Sequence, residues 1–376
     1  MVGGNVSPAT KARTETSDRV GLLQITSYPP PRAGWGVRVQ FLKTYLEARG
    51  HRCVVLNIGA SRAIPSDEYE TVLGGFDYVR KVWRFSRQGL VAHVHVNGAS
   101  PKGFVLAIAA QLINLVSGRR SFLTFHAGIN QVYFPRPKYP LLWPVFWLLF
   151  AIPRRIICNS EEVKAKILEY GVPSSKVVPI PAFSTQYLEA DDCALPQEIE
   201  TFYRRYPQLV FSYTKMRPMF HPEALVEGFA QFDMTHPRAG LFLCGIAGHM
   251  EPGLWESVHG RIQRLGIAER VLVVDDLPHD AFLQALGRAS VYLRTHVSDG
   301  VCSSVMEALA MGIPVVATEN HNRPASVITY PPEDREALAR HLADVIARRD
   351  EIVANLERPQ VRDTLAEEAR LLTGVN

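Results

Sequence analysis

The chain reads as an α/β protein made of two Rossmann-like, doubly wound domains. Three observations point there. At 376 residues it is long for one core and comfortable for two α/β domains. Apolar, β-branched runs of strand length alternate with helix-length segments in both halves, the order of βαβ units. Residues 184–207 are acidic and loosely patterned, and separate the halves as a linker does. The domains expected are residues 19–183 and 208–346, after a flexible tail over 1–18 and before C-terminal helices over 347–376.

Composition narrows the class. Hydrophobic residues make up 47% and charged ones 21%, ordinary for a globular protein and unlike a disordered one. Five scattered cysteines, Cys53, Cys158, Cys193, Cys244 and Cys302, lack metal-ligand spacing, which argues for a reducing, cytoplasmic setting and against a zinc site. Residues 1–18 lack the apolar core of a signal peptide. The net charge of +4 hides a split. Up to Phe183 there are 23 Lys and Arg against 10 Asp and Glu; from Ser184 onward, 18 against 27. Between Tyr78 and Ser160 there are 11 basic residues and no acid, so the first half is built to face something anionic. No nucleic-acid reader motif accompanies the charge, and nucleic acid is not expected as a partner.

Along the first half, Val20–Ser27 is a buried strand, Tyr28–Gly36 a turn rich in Pro and Gly, and a helix runs to Arg49 and stops at Gly50. Cys53–Asn57 is the second strand. Ala92–Val96 is another, with His93 and His95 on one face and no third metal ligand near, so both read as core or strand-end residues. Lys102–Ser117 is an apolar helix. Ser121–Phe125 is a strand that delivers His126 at its carboxyl end, where open α/β sheets bind ligands. Leu141–Ile152 (LLWPVFWLLFAI) is the most apolar run, too short to span a bilayer, which needs ~20 residues. Two readings of it stay open: a helix buried between sheet and loops, or an element dipping into a membrane interface. Its two tryptophans, the flanking Arg136, Lys138, Arg154 and Arg155, and the acid-free surroundings favour the second. Arg155–Asn159 and Lys176–Pro181 are strands around a helix capped by Ser160.

The second half opens with the strand Leu209–Tyr213, the loop Lys215–His221 and a helix from Pro222. The strands Gly240–Gly245, Val271–Val274 and Val291–Thr295 alternate with helices Leu254–Leu265 and His279–Leu286. Then comes Ser298–Thr318 (SDGVCSSVMEALAMGIPVVAT), a loop, a short helix and a buried strand, with Gly312 and Pro314 ending the helix. Loop amides and a helix start form an anion site. Cys302, Ser303 and Ser304 lie at that start, and the two serines add hydroxyl donors. Glu307, one turn in, can accept hydrogen bonds from a ribose diol. Asp334–Asn355 and Gln360–Leu372 are helical, broken at Pro359.

The stretch Asp299–Ala317 resembles the donor signature of retaining glycosyltransferases of family 4, "E-G-F-G-L-x-x-x-E-A-M-A-x-G-x-P-V-V-A". Asp299 stands where the family has Glu, and Cys302 where it has Gly. Thr124–Gly128 is similar to the family's "T-x-H-x" element, and Gly34 falls on the second glycine of its opening pair, with Ala33 at the first. Gly171-Val172-Pro173 and Lys176–Pro181 look like the run closing the first domain. The family's "G-R-L…K-G" is poorly kept: Lys215 takes the arginine's place, Phe220 the lysine's, and Arg217 stands by as a compensating cation.

What the resemblance implies is the GT-B fold, two Rossmann-like domains facing across a cleft, with the last helix crossing back onto the first. It also implies transfer of a hexosyl group, with retention, from a nucleoside-diphosphate sugar to a hydroxyl, without metal or other cofactor. Glu307 would hold the ribose, Asp299 the sugar hydroxyls and His126 the sugar from the opposite wall. Lys215, Arg217 and the Cys302–Ser304 amides and hydroxyls would meet the diphosphate, and Gly34 would allow close backbone approach. The basic, apolar first domain adds a lipid-linked saccharide acceptor at the inner face of a membrane, as in surface-polysaccharide assembly. Two other functions stay open: a sugar-nucleotide epimerase of the same fold, and a non-catalytic relative that only binds.

Overall fold

The computed structural model describes residues 19–29, 34–128, 131–136, 139–246, 250–298 and 302–374. The first unit alternates strand and helix throughout: β1 (Gly21–Thr26), α1 (Gly34–Glu47), β2 (Arg52–Asn57), α2 (Gly75–Arg87), β3 (Val91–Val96), α3 (Pro101–Val116), β4 (Phe122–Phe125), α4 (Trp143–Ala151), β5 (Arg155–Cys158), α5 (Glu161–Leu168) and β6 (Val177–Pro179). Its sheet is parallel in the order β2-β1-β3-β4-β5-β6. The second unit follows: α6 (Gln197–Arg205), β7 (Gln208–Tyr213), α7 (Pro222–Asp233), β8 (Ala239–Cys244), α8 (Leu254–Arg264), β9 (Val271–Val274), α9 (His279–Gly287), β10 (Val291–Arg294), α10 (Ser303–Ala310), β11 (Val315–Thr318), β12 (Ile328–Tyr330), α11 (Arg335–Ala347), α12 (Arg349–Ala354) and α13 (Thr364–Thr373). Its sheet is also parallel, β12-β11-β10-β7-β8-β9. Two such sheets with helices on both faces are the α/β, GT-B architecture the sequence predicts.

Both faces of each sheet are covered, so central strands such as β8 (AGLFLC) and β11 (VVAT) are buried at every position. In the first unit, α2, α3, α4 and α5 share one core with Tyr78, Phe104, Phe125 and Phe146. The opposite face is closed by α1 and α13 through Leu42, Leu46, Leu365 and Leu372. In the second unit, α6, α9 and α10 cover one face and α7, α8 and α11 the other.

Two helices carry no expectation from the sequence. In α2, Tyr78, Val82 and Phe85 fall at helical spacing and are buried. Within the stretch read as linker, α6 buries Ile199, Phe202 and Tyr203 into the second core. The sequence-read helix boundaries otherwise hold to within a few residues, with Ser100, Ser160, Asp334 and Asp363 accepting amide hydrogens as N-caps.

Each sheet reverses its direction of winding once. The reversals lie between β1 and β3 and between β7 and β10. Crevices at such points, outside the carboxyl ends of the strands, are where open α/β sheets bind ligands.

Candidate active site

At the first reversal, β1 contributes Gln24, β3 contributes His93 and His95, and His126 follows β4. The His126 amide donates to the Val96 carbonyl at 2.7 Å, which fixes the residue at the strand end. Its ring meets His95: Nε2 lies 2.9 Å from His95 Nδ1, and His95 Nε2 lies 2.8 Å from Gln24 Oε1. An amide oxygen only accepts, so His95 carries its proton on Nε2 and accepts from His126 Nε2–H. That leaves His126 Nδ1 bare, as an acceptor for a hydroxyl. Trp35, next to Gly34 at the start of α1, stacks obliquely on His126 with ring centroids 4.7 Å apart.

Behind this row, His93 Nε2 lies 2.7 Å from Thr124 Oγ1 and 4.0 Å from Glu368 Oε1 on α13. Both His93 and His95 are buried core residues, and among the described residues no group of three or more His, Cys, Asp or Glu suited to a metal is present. Burial, with the neighbouring His126 and Arg38 adding to it, pushes His93 down to about 3; burial also holds His95 and His126 well below the ordinary histidine value. The sign follows. Between about pH 6.5 and 3 the folded chain binds fewer protons at His93 than the unfolded one. Stability is therefore full above that window and falls as pH drops through it, by about 1.4 kcal/mol per pH unit. Replacing His93 by Gln should flatten the fall between pH 6.5 and 5 by about 2 kcal/mol in urea unfolding; equal slopes in both proteins would contradict the buried neutral histidine.

At the second reversal, α10 starts beside the ends of β7 and β10. Cys302 is its N-cap and supplies no side-chain cap. Among the described residues, none accepts from the amides of Ser303, Ser304 or Val305, so this end offers N–H groups and the positive end of the helix dipole. The Ser304 hydroxyl is placed differently from the sequence expectation. Ser304 Oγ lies 2.6 Å from the Tyr292 hydroxyl and 3.2 Å from Cys302 Sγ, inside the domain. Burial raises the phenol of Tyr187, and the nearby Ser303 side chain opposes that in part. What both can turn toward an anion is the backbone. Asp299 lies outside the described residues.

Glu307 is 4% exposed and shares a helix face with Ser303, one turn apart. That face looks toward the other domain. Tyr187, in a short 3₁₀ turn (Thr185–Tyr187) of the connecting segment, sits within electrostatic reach of Glu307; burial, foremost, holds its phenol well above the ordinary value. Tyr187 is a residue the sequence did not single out. Its ring packs on Phe41 of α1 at 5.2 Å, and its carbonyl accepts from His279 Nε2 at 3.1 Å. Beside it, a cavity of about 400 Å³ is lined by Asn159 and Phe183, by Cys302, Val305 and Met306 of α10, and by Arg323 and Arg362. A second opening of about 500 Å³ lies between Pro29, Gln40 and Glu68 on one side and Asp276, Leu277 and Pro278 on the other.

Lys215 follows β7, half-buried, its Nζ 5.1 Å from the centre of the Tyr213 ring. Burial lowers its pKa, Asp276 opposes that, and Arg217 and Arg294 add to the lowering. Gly245, at φ +86, lies flat on the same tyrosine; a Cβ there would come within 2.3 Å of the ring. Arg217 is exposed at the start of the turn that ends in Phe220. Phe220, where the family pattern has lysine, is buried. The cation against it is Arg294, whose guanidinium lies 5.0 Å from its ring centre. Sequence reasoning passed over Arg294. The available signal was a charged residue inside the apolar run Val291–Thr295.

His126 thus packs with Trp35 at the first reversal, and the α10 amides and Glu307 lie at the second, with Tyr187 within electrostatic reach of Glu307 and packed on Phe41 of the first unit. Two family descriptions match this chain: Glycosyltransferase Family 4 over residues 33–183 and Glycosyl transferases group 1 over residues 202–363. No curated protein sequence matches it. Among solved structures, HepE of Anabaena in complex with UDP-glucose is similar at a TM-score of 0.64 and 16% identity, covering 94% of each chain. A glycosyltransferase from Rickettsia africae gives 0.64 at 15% identity, over 96% of this chain and 100% of that one. A putative UDP-N-acetylglucosamine 2-epimerase from Listeria monocytogenes gives 0.65 at 14%, over 94% and 95%. At such identities these structures speak for the fold alone. The two family matches, one for each of the paired parallel sheets, carry the conclusion: the chain belongs to the group 1 glycosyltransferases of family 4, with the GT-B fold.

Proposed function

We propose that this glycosyltransferase moves a hexosyl group from a nucleoside-diphosphate sugar, with retention, to a hydroxyl of a lipid-linked saccharide at a membrane surface, in surface-polysaccharide synthesis. The observation that carries the donor half is the open amide end of α10 at the β7–β10 crevice, with buried Glu307 one turn deeper. Diphosphate meets the amides and Lys215, and the pentose diol meets the carboxylate. As the glycosidic bond breaks, negative charge grows on the leaving diphosphate, and donors already in place stabilise it without rearranging. The bare Nδ1 of His126 accepts from a hydroxyl of the transferred sugar. Arg217, exposed nearby, adds positive potential, and Asp299 is assigned the sugar hydroxyls.

The acceptor half rests on the outer face of the first domain. No described helix is long and apolar enough to cross a membrane. Yet α3 packs between α2 and α4, and the three present Phe76 (85% exposed), Trp83, Val105, Val116, Trp147 and, just before α4, Leu141 (94% exposed) to solvent. In α4 itself Phe146, Leu149 and Phe150 are buried. The apolar run is therefore half core and half surface, and the membrane reading is carried by its exposed face. With the acid-free span around it, this face suits anionic headgroups with shallow apolar insertion.

One experiment tests both halves. UDP-, GDP- and ADP-sugars are screened by thermal shift, and the donor found is assayed for transfer in the presence of phosphatidylglycerol vesicles carrying a membrane lipid extract. A nucleotide-dependent shift, sugar incorporated into lipid, and salt-sensitive flotation are expected. Donor turnover to free nucleotide and an epimeric sugar with no acceptor would favour the epimerase; no binding of any nucleotide would sink the donor site.

A further inference from the structure

We propose that Gln24 and His95 are positioning residues of the transfer reaction: they hold His126 in the one tautomer whose Nδ1 can accept from a hydroxyl of the transferred sugar. This deepens the reading above and rests on it. The sheet is the first argument. Gln24 of β1 is in register with His93 of β3, and His95 with Thr124 of β4, two residues before His126. Partners in register present their side chains to one face, so Gln24, His95 and His126 form a row across three neighbouring strands. The row is continuous: His95 Nε2 lies 2.8 Å from Gln24 Oε1, and His95 Nδ1 lies 2.9 Å from His126 Nε2. The two imidazole planes are within 14° of parallel and their centroids 5.2 Å apart. That is the separation of rings joined edge to edge, so the bond between them lies along both ring planes.

Direction is the second argument. A neutral imidazole has one N–H and one bare nitrogen, so the amide atom that meets His95 decides where each proton on the row sits. A carbonyl oxygen there leaves His126 bare at Nδ1; an amide N–H there would reverse both rings. Cys53 of β2 favours the first arrangement. Burial raises its thiol to about 12, and the nearby Gln24 side chain opposes that in part, the effect of an N–H turned to sulfur with the oxygen left for His95. Gln24 is wholly buried and His95 is 4% exposed, so water does not reset the row. His126 is partly exposed, with Trp35 across its ring. The charged and titratable groups facing the row are Arg38 of α1, Glu368 of α13, His93 and Cys53. Arg38 and Glu368 hold each other, and burial keeps His93 and Cys53 neutral near neutral pH. None of them gives the row a second proton, so these groups should leave transfer by the wild type level between about pH 6 and 8.

The test uses the whole protein. Tautomers are read first, without donor, by nitrogen NMR of labelled histidine rings, with single-histidine variants assigning the signals. Neutral Nε2–H forms of His95 and His126 are expected; Nδ1–H on His126 overturns the proposal. Turnover of UDP-glucose, GDP-mannose and ADP-glucose is then measured with the vesicles described above. Gln24→Glu is the decisive variant. At low pH its carboxyl and His95 share one extra proton; whichever holds it, His95 Nδ1 then donates and His126 Nε2 accepts. Its kcat/KM should match wild type at high pH and fall roughly tenfold or more as pH drops, with nucleoside-diphosphate affinity level in calorimetry. His95→Leu removes the acceptor for His126 Nε2–H and should lose about tenfold in kcat/KM at every pH. His95→Gln, whose carbonyl can take that bond, should recover most of the loss. If one variant folds poorly, the others and the NMR still decide. A flat pH profile in Gln24→Glu, equal losses in His95→Leu and His95→Gln, or lost nucleotide affinity would each overturn the positioning role. No turnover of any of the three donors removes the function proposed above instead, and the tautomers alone then decide the lock on His126.

Discussion

Glu307→Ala is expected to weaken binding of the nucleoside-diphosphate donor about 100-fold, with the fold intact. Two charge-assisted hydrogen bonds to a vicinal diol are worth about 3 kcal/mol or more when the carboxylate is desolvated, and about 1.4 kcal/mol is a factor of ten. The carboxylate meets that condition: Glu307 is 4% exposed and faces the connecting segment at Tyr187. Glu307→Gln keeps the shape and one acceptor oxygen, so it should lose roughly tenfold. Calorimetry with the ribonucleotide and its 2′-deoxy analogue separates the roles. The 2′-deoxy form should bind more weakly to wild type and equally to the alanine variant. Wild-type affinity in Glu307→Ala would end the proposed ribose contact.

The second large effect concerns the clasp between α1 and α13. Arg38 of α1 is clasped by α13: its Nε and Nη2 lie 2.7 and 2.6 Å from Glu368 Oε2, and its Nη1 donates to the Ala182 carbonyl at 2.7 Å. Both side chains are buried. Glu368→Ala leaves a guanidinium charge in the core and should cost about 3–5 kcal/mol, far more than an exposed pair. Because α13 helps close the face of the first sheet, the loss should appear as a lowered urea midpoint together with faster proteolysis of the C-terminal helix. The double variant Arg38→Met/Glu368→Met removes both charges and should be less damaging than Glu368→Ala alone. If the single variant is as stable as wild type, the pair is not what fastens α13.

Much of the architecture follows from local pattern. The strand runs Val20–Ser27, Ala92–Val96 and Val315–Thr318 are short, rich in apolar and β-branched residues and buried almost throughout, as strands of a parallel sheet covered on both faces are, with Gln24, His93 and His95 as the buried polar exceptions. The stop at Gly312, at φ +79, and the capping serines fix helix ends locally. Where the pattern was weak, elements were missed. The helix α6 hides in an acidic stretch because only three of its nine residues point inward. The helix α2 follows a run of turns and carries five charged side chains outside the core, Asp77, Arg80, Lys81, Arg84 and Arg87.

The site divides along the same line. His126 and Glu307 stand out because each lies at a strand end or helix start that the chain itself announces. The spacing of residues makes the hydroxyls of Ser303 and Ser304 donors to a ligand, and folding turns that of Ser304 to Tyr292. Lys215 was placed by counting; its closeness to Arg294 depends on β7 and β10 being neighbours.

By itself, then, the amino-acid sequence determined the alternating layers, the family, and the acid and amides at the start of α10. These rest on interactions spanning a few residues, which periodicity and capping record. Tertiary structure alone decided that strands some 80 residues apart lie side by side, that a linker tyrosine packs on Phe41 of α1 within reach of Glu307, and that an arginine rests on Phe220. Those outcomes depend on the crossing order of the strands and on which buried groups find partners, and neither is written in the spacing of residues along the chain.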